Sequence, residues 1–142
     1  MLFINDIMKN KKESALVLYK NARDLEFQKR YDEAAREYAA ILKSYPLHID
    51  ASNRLMIVYR KLKAYRKEVA VINKAISAHE KETEKKQRAW IKSHQKIANL
   101  TRSLAETLGL LNSKGLPIYE NDLLEKWRRR KSIVLGKLEK IK

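Results

Sequence analysis

The feature that most constrains this chain is a self-similarity at an offset of 34 residues: Leu25 aligns with Tyr59, Lys29 with Lys63, Tyr31 with Tyr65, Tyr38 with Ile72 and Leu42 with Ile76. Each copy has an apolar helical stripe, a Lys-x-Tyr turn and a second stripe, as in Ala15, Leu18, Ala22 and Leu25 followed by Ala34, Tyr38, Ile41 and Leu42. A helix-turn-helix unit repeated in this way cannot bury its apolar face alone and must stack on a neighbour. Composition supports helices throughout, because 142 residues include only three Gly and two Pro, the residues that most often interrupt them.

The residues Leu18, Ala22, Leu25, Tyr31, Ala34, Tyr38, Ile41 and Pro46 resemble the tetratricopeptide repeat, in which small residues let paired helices approach and a Pro ends each unit. The second copy carries Leu55, Tyr59, Tyr65, Ala75 and Ile76, with Met56 and Glu68 where small residues are usual and Glu80 where Pro is usual. The resemblance spans residues 15–80. It implies an all-α superhelix whose inner groove is lined by the first helix of each unit. Carried over position by position, that groove is Tyr19, Lys20, Arg23 and Phe27, then Asn53, Arg54, Ile57, Arg60 and Lys61. A basic lining with apolar interleaving suits an extended acidic peptide or a terminal carboxylate, since Arg pairs bidentately with carboxylates. Family members that clamp a C-terminal carboxylate use Lys and Asn in the first unit, where this chain has Tyr19 and Arg23.

Beyond residue 80 a seven-residue spacing takes over, with Trp90, Ile97, Leu104 and Leu111 alternating with His94, Thr101 and Leu108. This pattern predicts a long helix with one packing seam, separated from the second repeat by a break near 79–83. Asn112-Ser113-Lys114-Gly115-Leu116-Pro117 reads as a helix C-terminus and turn. Leu124, Trp127, Val134, Leu138 and Ile141 then share a face of a last helix. Ile118 and Tyr119 are expected to staple that helix to its neighbours, with an exposed apolar contact for a partner as the alternative. Capping boxes are predicted at Asn10 with Glu13 and at Asp122 with Glu125, acidic residues Asp32 and Glu33 suit a helix N-terminus, and Pro46 stops a helix. The expected organisation is one domain over 1–142: a lead-in over 1–13, two repeat-like units over 14–80, and a helical hairpin over 81–142 that caps the stack.

No pattern for catalysis is present. His48, His79 and His94 are isolated, there is no Gly-rich phosphate loop, and the absence of Cys removes thiolate metal sites and disulfides. The chain is therefore expected to be no enzyme and to need neither metal nor cofactor. Its one extreme number is a formal net charge of +15, which favours acidic proteins, nucleic acid or other anionic partners. An acidic protein or peptide is the expected partner, with nucleic acid as the alternative. An uncovered repeat face also offers a homodimer surface. The cluster Arg128, Arg129, Arg130 and Lys131 is a second basic surface, its three arginines fanning outward while Trp127 belongs to the packed face. Basic residues outnumber acidic ones 16 to 10 over 1–80, 7 to 3 over 81–113 and 9 to 4 over 114–142, so charge is spread and not gathered into a nucleic-acid arm. Met1-Leu2-Phe3-Ile4 is too short for a signal-peptide core and no apolar run approaches a membrane span. A cytoplasmic protein with no membrane partner is the expectation, and Met8 is as good a start as Met1.

Overall fold

The structure, a computed structural model, describes residues 2–116 and 121–141, with side chains described from Ser14 onward. It is all-helical: α1 (Leu2–Phe27), α2 (Tyr31–Ser44), α3 (Ile49–Lys61), α4 (Tyr65–Ser93), α5 (Gln95–Thr107) and α6 (Asp122–Ile141). The expected staple residues Ile118 and Tyr119 lie outside the described residues.

The 34-residue offset is written into the backbone of two turns. Lys29 and Lys63 take left-handed conformations, with φ of 61° and 55°. Around Lys29, Lys29 N donates to Glu26 O at 2.9 Å and Arg30 N to Leu25 O at 2.9 Å. Around Lys63, Lys63 N donates to Arg60 O at 3.0 Å and Ala64 N to Tyr59 O at 2.8 Å. Both are Schellman closures that satisfy the last carbonyls of a helix. The short connections that follow fold α2 back on α1 and α4 back on α3.

Small residues set the contact distance within this part. Ala22 of α1, Ala34, Ala35, Tyr38 and Ile41 of α2, and Ala51, Leu55 and Val58 of α3 form one buried cluster. Leu18, Leu25 and Tyr31 pack partly buried against it, so the predicted stripes face one another. His48 caps α3, its Nδ1 accepting from Ala51 N at 3.0 Å. Pro46 lies just beyond the end of α2, where its missing N–H costs nothing.

The second half departs from the sequence expectation. No break occurs at 79–83; α4 runs unbroken to Ser93, because His79-Glu80-Lys81-Glu82-Thr83 contains nothing that opposes a helix. The interruption falls at His94, with φ −127° and ψ 45°, whose ring stacks on Trp90 at 4.7 Å between centroids. The predicted seam is not packed either: Ile97 is 58 %, Leu104 61 % and Leu108 60 % exposed, and Trp90 is nearly half exposed. Only Ala98 of α5 is buried. The partner of α6 is α4. Arg128 of α6 meets Glu80, Trp127 meets His79, and Arg130 meets Glu68, so the two helices run antiparallel. Leu124 and Trp127 close a second core with Met56, Ile72 and Ala75, and Val134 is also buried, whereas Ile141 is exposed.

Three end signals shift for local reasons. Asn10 lies inside α1, which begins at Leu2 and not after Asn10. Asn121, not Asp122, caps α6, its Oδ1 accepting from Leu123 N at 2.9 Å. The α5 helix ends at Thr107 in a third Schellman closure on Gly109, φ 70°, with Leu110 N donating to Ala105 O at 2.8 Å. Asn112 then organises a separate turn, its Oδ1 accepting from Lys114 N and Leu116 N.

Candidate partner-binding surfaces

Two buried carboxylates organise the face where the groove is expected. Glu26 sits at the end of the α1 stripe, one turn after Ala22, and is only 7 % exposed. Tyr38 Oη donates to its Oε1 at 2.8 Å, Arg54 Nε donates to the same oxygen at 3.0 Å, and Arg54 Nη2 donates to Oε2. Lys61 and Arg23 stand 3.9 Å and 4.0 Å away. Burial opposes the charge on Glu26, but the hydrogen bonds from Arg54 and Tyr38 and the Arg54 charge outweigh it and hold the carboxyl below its ordinary range. Burial and the same carboxylate push the Tyr38 hydroxyl up.

Glu68, at a position where the repeat pattern favours a small residue, is fully buried. Arg60 of α3 and Arg130 of α6 reach it at 2.8 Å and 2.9 Å. Burial lowers the Arg130 guanidinium against the pull of Glu68. Each carboxylate thus bridges neighbouring helices, and a buried charge must be paired in this way to be tolerated.

These pairs absorb most of the predicted groove. Arg23, Arg54 and Lys61 gather round Glu26, while Arg60 is taken by Glu68. Asn53 accepts a hydrogen bond from Trp127 Nε1 at 2.7 Å, which anchors α6 on α3. Tyr19 packs between Tyr38 and His48, and Ile57 is half-buried. Lys20 is exposed and Phe27 is 91 % exposed at the end of α1. The second predicted surface is also compensated. Arg128 pairs with Glu80 at 2.6 Å and Arg129 with Glu125 at 2.8 Å, so only these two arginines face outward. Arg130 turns inward and Lys131 is half-buried, which corrects the picture of three arginines fanning into solvent.

A different surface has uncompensated charge. On α3, at about 100° per residue, Asn53, Arg54, Ile57, Arg60 and Lys61 fall on one side and Ser52, Leu55 and Tyr59 on the other. The latter three form the floor of an open cleft of about 950 Å³. One wall is α2, through Ala39, Leu42 and Lys43, with Pro46 beyond it; the other is α4, through Lys67, Ala70, Val71, Lys74, Ser77, Ala78 and Lys81. No Asp or Glu lines it. Lys67 sits 6.0 Å from the centre of the Tyr59 ring. All four lysines are exposed, and among the described residues none of them makes an ion pair. The sequence did hold a signal for this site: Lys67, Lys74 and Lys81 recur at steps of seven within α4, the spacing that keeps side chains on one helix face.

A smaller apolar cavity of about 140 Å³ lies between the end of α4, α5 and the following loop, lined by Trp90, Ile91, Ala98, Ala105 and Leu111 among others. Among the described residues no group of three or more His, Cys, Asp or Glu could hold a metal ion, and no helix is long and apolar enough to cross a membrane. Comparison with protein-family models, curated proteins and solved structures finds no significant match.

Proposed function

We propose that this protein is a protein-binding module that holds an acidic segment of a partner in the α2–α3–α4 cleft. The observation that carries this reading is the set of unpaired lysines around an apolar floor. The arginines of the other two candidate surfaces pair with carboxylates of the chain itself, whereas among the described residues the four lysines that line the cleft do not, and they converge on one apolar floor. Opposed lysines steer an anionic segment and apolar floor residues hold it, the division of labour common at interfaces. Two turns of like geometry 34 residues apart, beside the sequence's resemblance to the tetratricopeptide repeat, support a partner-holding role, since stacked helical repeats present extended surfaces of this kind.

Fluorescence anisotropy with a labelled Glu/Leu peptide, and with a Lys/Leu peptide of equal length as control, tests the reading. The acidic peptide binds and the basic one does not. A K67E/K74E/K81E variant weakens the acidic peptide about tenfold, since three ion pairs of about half a kcal/mol each sum to about 1.5 kcal/mol. Unchanged affinity in that variant overturns the assignment to the cleft. A single-stranded oligonucleotide of matched charge that binds tighter, with a steep salt dependence, moves the reading to nucleic acid.

A further inference from the structure

We infer that the cleft is built for an amphipathic α-helix with acidic residues at seven-residue intervals, lying along α4; this rests on the binding function proposed above. Three observations carry it.

The first is the spacing of the charges. Lys67, Lys74 and Lys81 all line the cleft from one helix, and seven helical residues advance about 10.5 Å. A helical ligand repeats its own face at the same interval, so acidic groups at i, i+7 and i+14 meet all three lysines in one register. An extended strand repeats a face every ~6.8 Å, so its side chains meet the first and third lysines but miss the middle one, Lys74, by about 3 Å.

The second is the width of the wall. Between the lysines α4 offers Ala70, Ser77 and Ala78, and α2 faces them with Ala39. Small residues in a line let another helix approach to ~8 Å between axes, the lower end of helix packing distances. Bulky residues in these places would hold a helix off and leave room only for side chains.

The third is the floor. Leu55 and Tyr59 of the floor, with Leu42 and Val71 at the foot of the two walls, supply an apolar strip below the lysines, the counterpart of the apolar face of an amphipathic helix. Two helices, α2 and α4, already pack on α3 and leave a furrow between them, which an added helix fills as a third neighbour. A fully acidic disordered segment would leave this strip uncovered.

The probes are three labelled peptides of about 18 residues, long enough to span three charges at helical rise. One is a hydrocarbon-stapled helix with Glu at its second, ninth and sixteenth positions and Leu on the adjoining face. The second has the same composition with two central prolines in place of alanines. The third is the stapled helix with its central Glu changed to Lys. Anisotropy titrations should show the stapled helix binding at least about tenfold tighter than the proline-broken peptide. K74E should lose about tenfold in affinity for the first peptide and regain it with the third, while K43E should not be rescued by the third. Equal binding of the stapled and proline-broken peptides overturns the helical register and leaves the acidic-segment function standing. Binding of neither, with the variants folded by circular dichroism, overturns both. Loss on K74E that the central Lys does not restore overturns the pairing of α4 with the ligand.

Discussion

Replacing Arg54 by Met should cost about 3 kcal/mol, and a third or more of that cost should vanish when Glu26 is replaced as well. Glu26 has a side chain only 6 % exposed and receives two hydrogen bonds from Arg54, whose own side chain is 27 % exposed. Removing one partner of a buried ion pair leaves an uncompensated charge, at about 3–5 kcal/mol. The lower end applies because Tyr38 still donates at 2.8 Å and Lys61 and Arg23 remain within 4.0 Å. For a domain of 142 residues the unfolding entropy is about 0.3 kcal/mol/K, so a loss of about 3 kcal/mol lowers Tm by about 10 °C. Urea unfolding followed by circular dichroism at about pH 7 gives the free energies, and R54M, E26L and R54M/E26L complete a double-mutant cycle. The double variant should lie within about 2 kcal/mol of wild type, because an apolar pair avoids the desolvation of both charges while the buried Tyr38 hydroxyl loses its acceptor. The pH dependence follows with a definite sign. The Glu26 carboxyl is held below its ordinary value of 4.5, so its contribution is complete above that value and is lost as pH falls through the depressed folded value. In E26Q the acid-side loss of stability should flatten. An R54M variant within about 0.5 kcal/mol of wild type, or a double variant no more stable than R54M, would refute the assignment of Glu26 as a buried charge held chiefly by Arg54.

Three further outcomes are expected. Lys29→Gly and Lys63→Gly should each stabilise by about 0.5–1 kcal/mol in urea unfolding, since glycine relieves the left-handed strain at φ 61° and 55° and gives part of it back in chain entropy; destabilisation at either site would mean that its lysine side chain contributes more than the turn geometry predicts. Trp127→Phe should cost about 1.5–2 kcal/mol through the lost bond to Asn53 and the reduced contact area, and fluorescence should shift to the red because Trp90, nearly half exposed, is then the sole tryptophan. Leu100→Ser and Leu104→Ser should each change stability by less than about 0.5 kcal/mol while Ile72→Ser costs more than about 3 kcal/mol, because the first two are 77 % and 61 % exposed and Ile72 is fully buried; an effect of Leu104→Ser comparable to that of Ile72→Ser would place α5 in a packed seam after all.

The helical class and the first two helix pairs were legible in the sequence because they depend on local terms. A stripe at helical spacing, a scarcity of Gly and Pro, and a Lys-x-Tyr turn act over a few residues, and the turns at Lys29 and Lys63 close with bonds that reach back only three and five positions. In the second half of the chain the local terms leave a choice. The apolar residues of α5 repeat at seven-residue steps, which makes a helix face amphipathic but cannot name what covers it; α6 instead found its neighbour upstream on α4. Likewise the sequence showed Arg54, Arg60 and Arg130 as free cations. They are neutralised by Glu26 and Glu68, 28, 8 and 62 residues away, and Asn53 meets Trp127 across 74. Such pairings depend on which helix faces meet after packing, when desolvation forces each buried charge to take a partner. Sequence alone therefore determined that this chain forms repeated antiparallel helices with a basic surface. Tertiary structure decided which of the basic residues meet a buried carboxylate, and the four lysines of the α2–α3–α4 cleft are among those that neither Glu26 nor Glu68 reaches.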